Sequence, residues 1–261
     1  MKHKTYRTNS TDREWDCIKD EFPPPKPGGR KRTTDLRQVV DAIFYVDDNG
    51  IKWDALPHDF PPKGTVFDYF NKWRKSGVWQ RINDKLRTQL RQKMGRHKHP
   101  TAGCLDSQSV KSTQVRGVRG FDAGKKVTGR KRHVLTDTNG FILRVKVTVA
   151  SLSDQAGAKL VLARWNGACK KLRRIWVDGT YRGDTLAKLA LSLRLLLTPV
   201  VRPPGTTGFV LLARRWVVER TFAWLSRSRR LSRDYERFPE TSETWVYISM
   251  TRLMLRRLAK A

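Results

Sequence analysis

Cysteine is nearly absent: Cys17, Cys104 and Cys169 are the only three in 261 residues. An odd number without C-x-x-C spacing excludes a disulfide framework and a structural zinc site, and it fits a reducing compartment such as the cytoplasm. Histidine is sparse too, with five. His97 and His99 lie in a polar connector, and His133 has no second histidine at ligand spacing, so no histidine metal centre is expected. Long apolar runs are missing too. The best window, LALSLRLLLTPVV, is short and broken by Arg194, and the opening MKHKTYRTNS has no signal-like stretch, so neither a membrane span nor a secretory leader is expected. There is no internal repeat.

Negative charge is scarce as well. Asp plus Glu total 24 against 54 Lys plus Arg, a net charge of +30 with a pI near 10.8. That excess goes far beyond what solubility needs and points to a polyanionic partner. It is uneven: residues 1–100 carry 22 basic and 13 acidic side chains, residues 101–261 carry 32 and 11. A protein that merely coats nucleic acid has a similar balance. Against that reading stand the length, the 38% hydrophobic content and nine tryptophans, enough for a large core.

Two polar connectors, PPPKPGGRKR after Phe22 and GRHKHPTAG at 95–103, divide the chain. Residues 1–32 read as a basic leader and linker. Residues 33–95 read as a small all-α unit: TTDLRQVVDAIFYV is amphipathic with a capping threonine, and TVFDYFNKWRKSG and VWQRINDKLRTQLRQKM are two further helices parted by Gly77. Such a trio fits a helix-turn-helix-like DNA reader and a plain helical bundle equally well. Residues 101–261 change character. Five strand-like runs, AGCLDSQSV, RKRHVLTDTNG, FILRVKVTVA, RRIWVDGTY and LRLLLTPVV, are interleaved with helical segments, which predicts a mixed five-stranded sheet flanked by helices.

Local structure accounts for most of the eleven acids in this second unit. Asp137 falls in a hairpin turn, Asp154 and Asp184 precede helices as caps, and Glu240 and Glu243 lie in the first turn of the last helix. Asp122 sits in a glycine-flanked loop, and Asp234 and Glu236 in a charged exit segment. Asp106, Asp178 and Glu219 remain. Asp106 interrupts a strand that aspartate disfavours. Asp178 ends IWVDG, at the sheet edge where open α/β folds place ligands. In VVERTFAWLSRSRRLSR, residues 217–233, helical periodicity gathers Val217, Val218, Thr221, Trp224, Leu225 and Ser228 on a buried side. Glu219 falls opposite, in line with Arg215, Ala223 and Ser226.

Taken singly, each acid is as well explained by an ion pair with one of many arginines. Together they form a set. Three carboxylates within ~4 Å of one another repel by several kcal/mol per pair, so cations are required. Oxygen donors alone favour Mg²⁺ or Mn²⁺. Two such ions activate a water or a 3′-hydroxyl and stabilise a leaving oxygen, which implies phosphodiester cleavage or transfer.

The blocks LDSQSVK, GKKVTGRKRHVLTDTNG, VDGTYRG and RRWVVERTFAWLSRSRRLSRDYE resemble the signature blocks of bacterial insertion-sequence transposases of the DDE class. The stretch GIKWDALPHDFPPKGTVFDYFNKWRKSGVWQRI is similar to the N-terminal region of one subgroup. The resemblance implies a ribonuclease H-like catalytic domain over 101–261, with Asp106, Asp178 and Glu219 as catalytic, metal-binding residues. In the family's tyrosine, arginine, glutamate, lysine pattern Arg215 and Glu219 fit, whereas Leu212 and Ser226 occupy the tyrosine and lysine positions. Arg227, Arg229 or Arg230 stands in reach of the missing lysine's phosphate role. The short stretch from Val201 to Arg214 predicts no large insert between the second and third acids.

Beside the acids, Lys131, Arg132 and His133 of GRKRH read as phosphate contacts, with a solvated edge strand as the bland alternative; Arg182, Arg215, Arg220 and Arg227 join them. Residues 33–95 are expected to read the element's ends, so that deleting them spares general DNA affinity. The implied activity is cleavage at the ends of a mobile element and joining of 3′-hydroxyls to target DNA, using two Mg²⁺ or Mn²⁺ ions. Double-stranded DNA is the expected partner, a homodimer or larger synaptic assembly the expected state, and the bacterial nucleoid the expected location. A structure-selective nuclease on the same scaffold and an inactive DNA-binding relative are the rival readings.

Overall fold

Thr11 and Glu14 cap each other: the Thr11 hydroxyl accepts from the Glu14 N–H at 3.2 Å, and the Glu14 carboxylate accepts from the Thr11 N–H at 2.9 Å. This capping box starts α1 (Asp12–Ile18), whose Ile18 is fully buried. The expected leader is therefore partly folded. The structure, a computed structural model, describes residues 5–25, 28, 31–115, 117–163, 169–201, 205 and 213–259.

Helix α2 (Leu36–Asn49) is capped by Asp35, which accepts from the Arg37 N–H at 2.8 Å, and not by the expected threonine. It ends at Gly50, whose φ of 66° is the left-handed conformation that glycine adopts without strain. Helices α3 (Lys63–Lys75) and α4 (Val78–Lys93) follow, with Gly77 again left-handed between them. Two arginines of α4 turn inward. Arg87 donates to the Ile142 carbonyl at 3.0 Å, and Arg91 pairs at 2.6 Å with Asp137, which is fully buried.

The sheet is built from β1 (Ala102–Lys111), β2 (Gly120–Asp122), β3 (Val127–Asp137), β4 (Ile142–Val149), β5 (Arg174–Val177) and β6 (Leu196–Pro199). Five strands run in the order β4-β3-β1-β5-β6, with β1, β3 and β4 antiparallel and β1, β5 and β6 parallel. This mixed order is the ribonuclease H-like arrangement. The short β2 is a sixth strand that three-residue length hid from the pattern; it pairs with the start of β3. Asp137 makes the β3–β4 hairpin, its carboxylate accepting from the Asn139 and Phe141 N–H groups at 2.9 Å each.

Both faces of the sheet are covered. Helices α5 (Asp154–Ala163) and α6 (Asp184–Ser192) pack on one face against Leu105, Leu135, Leu143, Ile175 and Val177. Helices α7 (Ala213–Leu225) and α8 (Pro239–Ala259) pack on the other, against Cys104, Val134, Ile142, Val145 and Val147. The same core extends into α1 to α4, through Ile18, Val39, Ile43, Phe70, Trp73 and Trp79. Among the described residues no helix is long and apolar enough to cross a membrane.

Candidate active site

Cys104 of β1 pairs in parallel register with Trp176 of β5. Strand side chains alternate, so two residues further along each strand Asp106 and Asp178 come to the same face, with neighbouring strands about 4.8 Å apart. Strand β5 stops at Val177. Asp178 caps the following turn, its Oδ1 accepting from the Thr180 N–H at 2.8 Å, while Oδ2 is left to face α7. Asp106 accepts from the Ser107 N–H at 2.7 Å. Burial pushes its carboxyl up to about 6, and nearby Asp178 adds to this while the Ser107 N–H, Arg215 and Lys125 oppose it.

Helix α7 is seated on that face by three contacts. The Cys104 thiol donates to the Arg214 carbonyl at 3.0 Å, the Arg214 guanidinium lies 4.6 Å from the Trp176 ring centre, and the Thr221 hydroxyl donates to the Gly140 carbonyl at 2.8 Å. Gly140 is required there, because a Cβ would stand 2.8 Å from the Thr221 hydroxyl. The amphipathic reading of this helix holds: Val218, Thr221, Leu225 and Ser228 are buried, whereas Glu219, Ala223 and Ser226 are exposed. The helix ends at Leu225, however, and Arg229–Leu231 form a separate 3₁₀ turn.

Arg215 joins the acids. Its Nη2 lies 3.9 Å from Asp178 Oδ2 and 3.6 Å from Glu219 Oε1, so one guanidinium bridges an acid from the sheet to an acid from the helix. Among the described residues no three His, Cys, Asp or Glu side chains are grouped to hold a metal ion as they stand. The donor set nevertheless suits a hard divalent cation. All three candidates offer oxygen, Cys104 is kept a thiol by burial that pushes it up to about 12, and Glu219 is half-exposed and able to change rotamer.

Residues 97–254 match the family model described as "Transposase DDE domain". The chain belongs to the DDE transposase family. Residues 11–83 match a second model, described as "Putative transposase of IS4/5 family". A curated relative, "Insertion element IS402 uncharacterized 16.2 kDa protein" of Burkholderia cepacia, is 30% identical over 86 residues, which are 31% of this chain and 58% of that protein. The chain thus spans somewhat over half the length of that relative. The solved structure "Crystal structure of a pre-cleavage Mos1 transpososome" covers 91% of this chain and 80% of its own at 9% identity, with a TM-score of 0.33, too low to support further comparison.

In this DDE family member the basic residues divide differently from the sequence expectation. Lys131, Arg132 and His133, expected as phosphate contacts, are all three buried where β3 is covered on both faces. Lys131 is held by Asp122 at 3.3 Å, Asp154 at 3.2 Å and the Leu152 carbonyl at 3.0 Å. Arg132 donates to the Leu231 carbonyl at 2.8 Å. His133 bonds through Nε2 to the Thr148 hydroxyl at 3.0 Å under Gly157, where any Cβ would strike its ring. Asp154, expected as a cap, is the first residue of α5: the Ser153 hydroxyl accepts from the Ala156 N–H at 3.2 Å, and Asp154 accepts from the Ser107 hydroxyl at 2.6 Å. Likewise Glu243 lies past the first turn of α8 and accepts from the Val147 N–H and Lys146.

The outward-facing cations are others. Arg182 and Arg227 are exposed, and Arg220 lies between the rings of Trp216 and Trp224 at 4.5 and 4.8 Å while donating to the Asn139 carbonyl. Arg257 of α8 also lies over the Trp224 ring, at 4.2 Å, and burial together with Arg220 and Arg227 holds its guanidinium below its usual range. Its place in this group carries no sequence signal, because it comes from another element. Of the candidates for the missing lysine's role, Arg230 is buried against Glu236, leaving exposed Arg227 and Arg229. Leu212 lies outside the described residues.

Proposed function

We propose that this chain cuts the phosphodiester bonds at the ends of its own insertion sequence and joins the freed 3′-hydroxyls to target DNA. The observation that carries the proposal is the matched placement of Asp106 on β1 and Asp178 just past the end of the adjacent parallel β5, with Glu219 linked to Asp178 through Arg215. Asp106, Asp178 and Glu219 are the residues that would hold two Mg²⁺ or Mn²⁺ ions. When bound, such a pair supplies Lewis acidity toward the attacking hydroxyl and the leaving oxygen, without a covalent enzyme intermediate.

The chain's own groups do the rest. Asp106 comes from β1 and Asp178 from the first residue past β5, two neighbouring strands braced on both faces, so their separation is governed by the sheet. Arg215 balances Asp178 and Glu219 in the structure described, and a phosphate oxygen arriving with metal-bound acids would take up the same guanidinium. Arg182, Arg220 and Arg227 extend positive charge away from the acids along a duplex path. Joining two ends calls for two such sites, hence a dimer or larger assembly. Recognition of the ends is assigned to the residue 33–95 region.

The test is a cleavage and joining assay with Mg²⁺ on duplexes carrying the inverted repeats that flank the coding sequence. Glu219→Gln and Asp106→Asn are each expected to lower cleavage by about 100-fold or more, with DNA binding retained. Wild-type rates in either variant would defeat the proposal. Hydrolysis without joining of pre-cleaved ends would reassign the chain to the nucleases.

A further inference from the structure

The turn between β2 and β3 brings one more cation to the acids. Asp122, the last residue of β2, accepts from the Ser109 hydroxyl at 2.5 Å and from the Lys125 N–H at 3.1 Å, and it lies 3.3 Å from Lys131. Lys131 is itself held by Asp154, and Asp154 by the Ser107 hydroxyl. The turn is therefore braced against β1, β3 and α5 at once. Lys126 within it takes φ 52°, a left-handed conformation that costs a side-chain-bearing residue about 1 kcal/mol and that the bracing must outweigh.

From this turn Lys125 reaches back to β1. Its Nζ donates to the carbonyl of Ser107, the residue after Asp106, at 3.3 Å, and its charge is felt at the Asp106 carboxylate. Lys125 is exposed, and among the described residues no carboxylate stands within ion-pair distance of it. The buried cation of this region, Lys131, serves as anchor; of the two exposed lysines in the turn, Lys125 and Lys126, it is Lys125 whose ammonium is held beside the acids. An ammonium without a carboxylate partner, carried on a rigid turn beside a cluster of acids, is placed to hold an anion that approaches those acids.

We infer that Lys125 contacts a DNA phosphate next to the bond being cut. This rests on the reading of Asp106 as part of the active site, and it adds a phosphate-binding residue from a turn that the acids themselves do not use.

Binding interference tests it. Wild type, Lys125→Ala, Lys125→Gln and Lys125→Arg are titrated, with Ca²⁺ replacing Mg²⁺, against terminal-repeat duplexes in which each phosphate near the cleavage point is in turn replaced by a neutral methylphosphonate. For wild type, neutralising one or two of these phosphates is expected to weaken binding by about 10-fold. Lys125→Ala and Lys125→Gln bind less tightly and are indifferent to those same replacements, whereas Lys125→Arg keeps the wild-type pattern. An Ala or Gln variant that retains the full pattern, or a wild type indifferent to every replacement, overturns the contact. The same duplexes with Mg²⁺ report cleavage separately: a wild type that shows the interference yet cuts nothing strikes the proposed activity and leaves the contact standing.

Discussion

Phe70 of α3 stacks on Trp245 of α8, with ring centroids 4.7 Å apart and planes inclined by 24°. Trp53 lies 5.8 Å from the same tryptophan. Trp245 is thus buried between the N-terminal helices and the body that carries the acids, and the two regions share one apolar core. Deleting residues 1–95 is accordingly expected to unfold the chain, not merely to strip it of end recognition as the sequence division suggests. The point variant Trp245→Ala is expected to lose about 3–5 kcal/mol, read from denaturant unfolding; an unchanged midpoint would show that the shared core does not carry stability.

Asp47 of α2 makes a polar counterpart to this core. It is fully buried, and it accepts from the hydroxyls of Ser228 at 2.7 Å and Ser249 at 2.6 Å and from Arg252 at 3.1 Å. Asp47→Ala leaves the Ser249 hydroxyl without its acceptor and Arg252 with Asp48 alone, at 2.9 Å, while Ser228 keeps the Asp47 carbonyl at 2.6 Å; it is expected to cost about 3 kcal/mol, whereas a double variant with Arg252→Met should recover part of that loss. Additive losses in the two variants would refute the coupling.

Arginines on the two sides of the coverage are expected to behave oppositely. Arg132→Met should lower the melting temperature and leave the salt dependence of DNA binding intact, because its guanidinium is spent on internal carbonyls. Arg227→Ala should leave melting unchanged and reduce the slope of log affinity against log salt by about 0.9. Titrations from low to moderate salt with both variants check this, and an unchanged slope for Arg227→Ala removes it from the DNA path.

His133 should make the fold acid-sensitive. Burial, the largest cause, lowers it to about 4, with Lys131 and Lys125 lowering it further and Asp154 opposing. Its folded value lies below the ordinary 6.5, so the unfolded chain takes up a proton first as pH falls. Stability is unaffected above pH 6.5 and is lost between 6.5 and about 4, by on the order of 3 kcal/mol. Unfolding free energies measured across that window for wild type and His133→Leu are expected to differ in slope, steep for wild type and flatter for the variant; parallel slopes would exclude His133 as the cause.

Much of the fold was legible along the chain because each long element repeats its own period. The five main strands and the helices α2 to α6 and α8 stand within a few residues of where alternation or 3.6-residue spacing places them, and the stripe on α7 was readable at Val218, Thr221 and Leu225, although the helix stops at Leu225 where the spacing carries it on to Arg233. Two short pieces escaped. Strand β2 has three residues, too few for a period, and α1 announces itself only by its Thr11 and Glu14 cap inside a stretch dominated by charge.

The candidate acids were legible for a different reason: Asp106 interrupts a strand that aspartate disfavours, Asp178 closes an apolar strand run, and Glu219 lies opposite an apolar stripe, so their oddity shows in one dimension. The fate of the basic residues was not. A lysine or arginine on an alternating strand reads the same whether its face meets water or a helix, and covering β3 with α5 on one side and α8 on the other is a long-range event. That packing alone turned Lys131 and His133 inward, set Arg215 between Asp178 and Glu219, and left Lys125 beside Asp106, since it rests on which surfaces meet and not on any local preference of the chain.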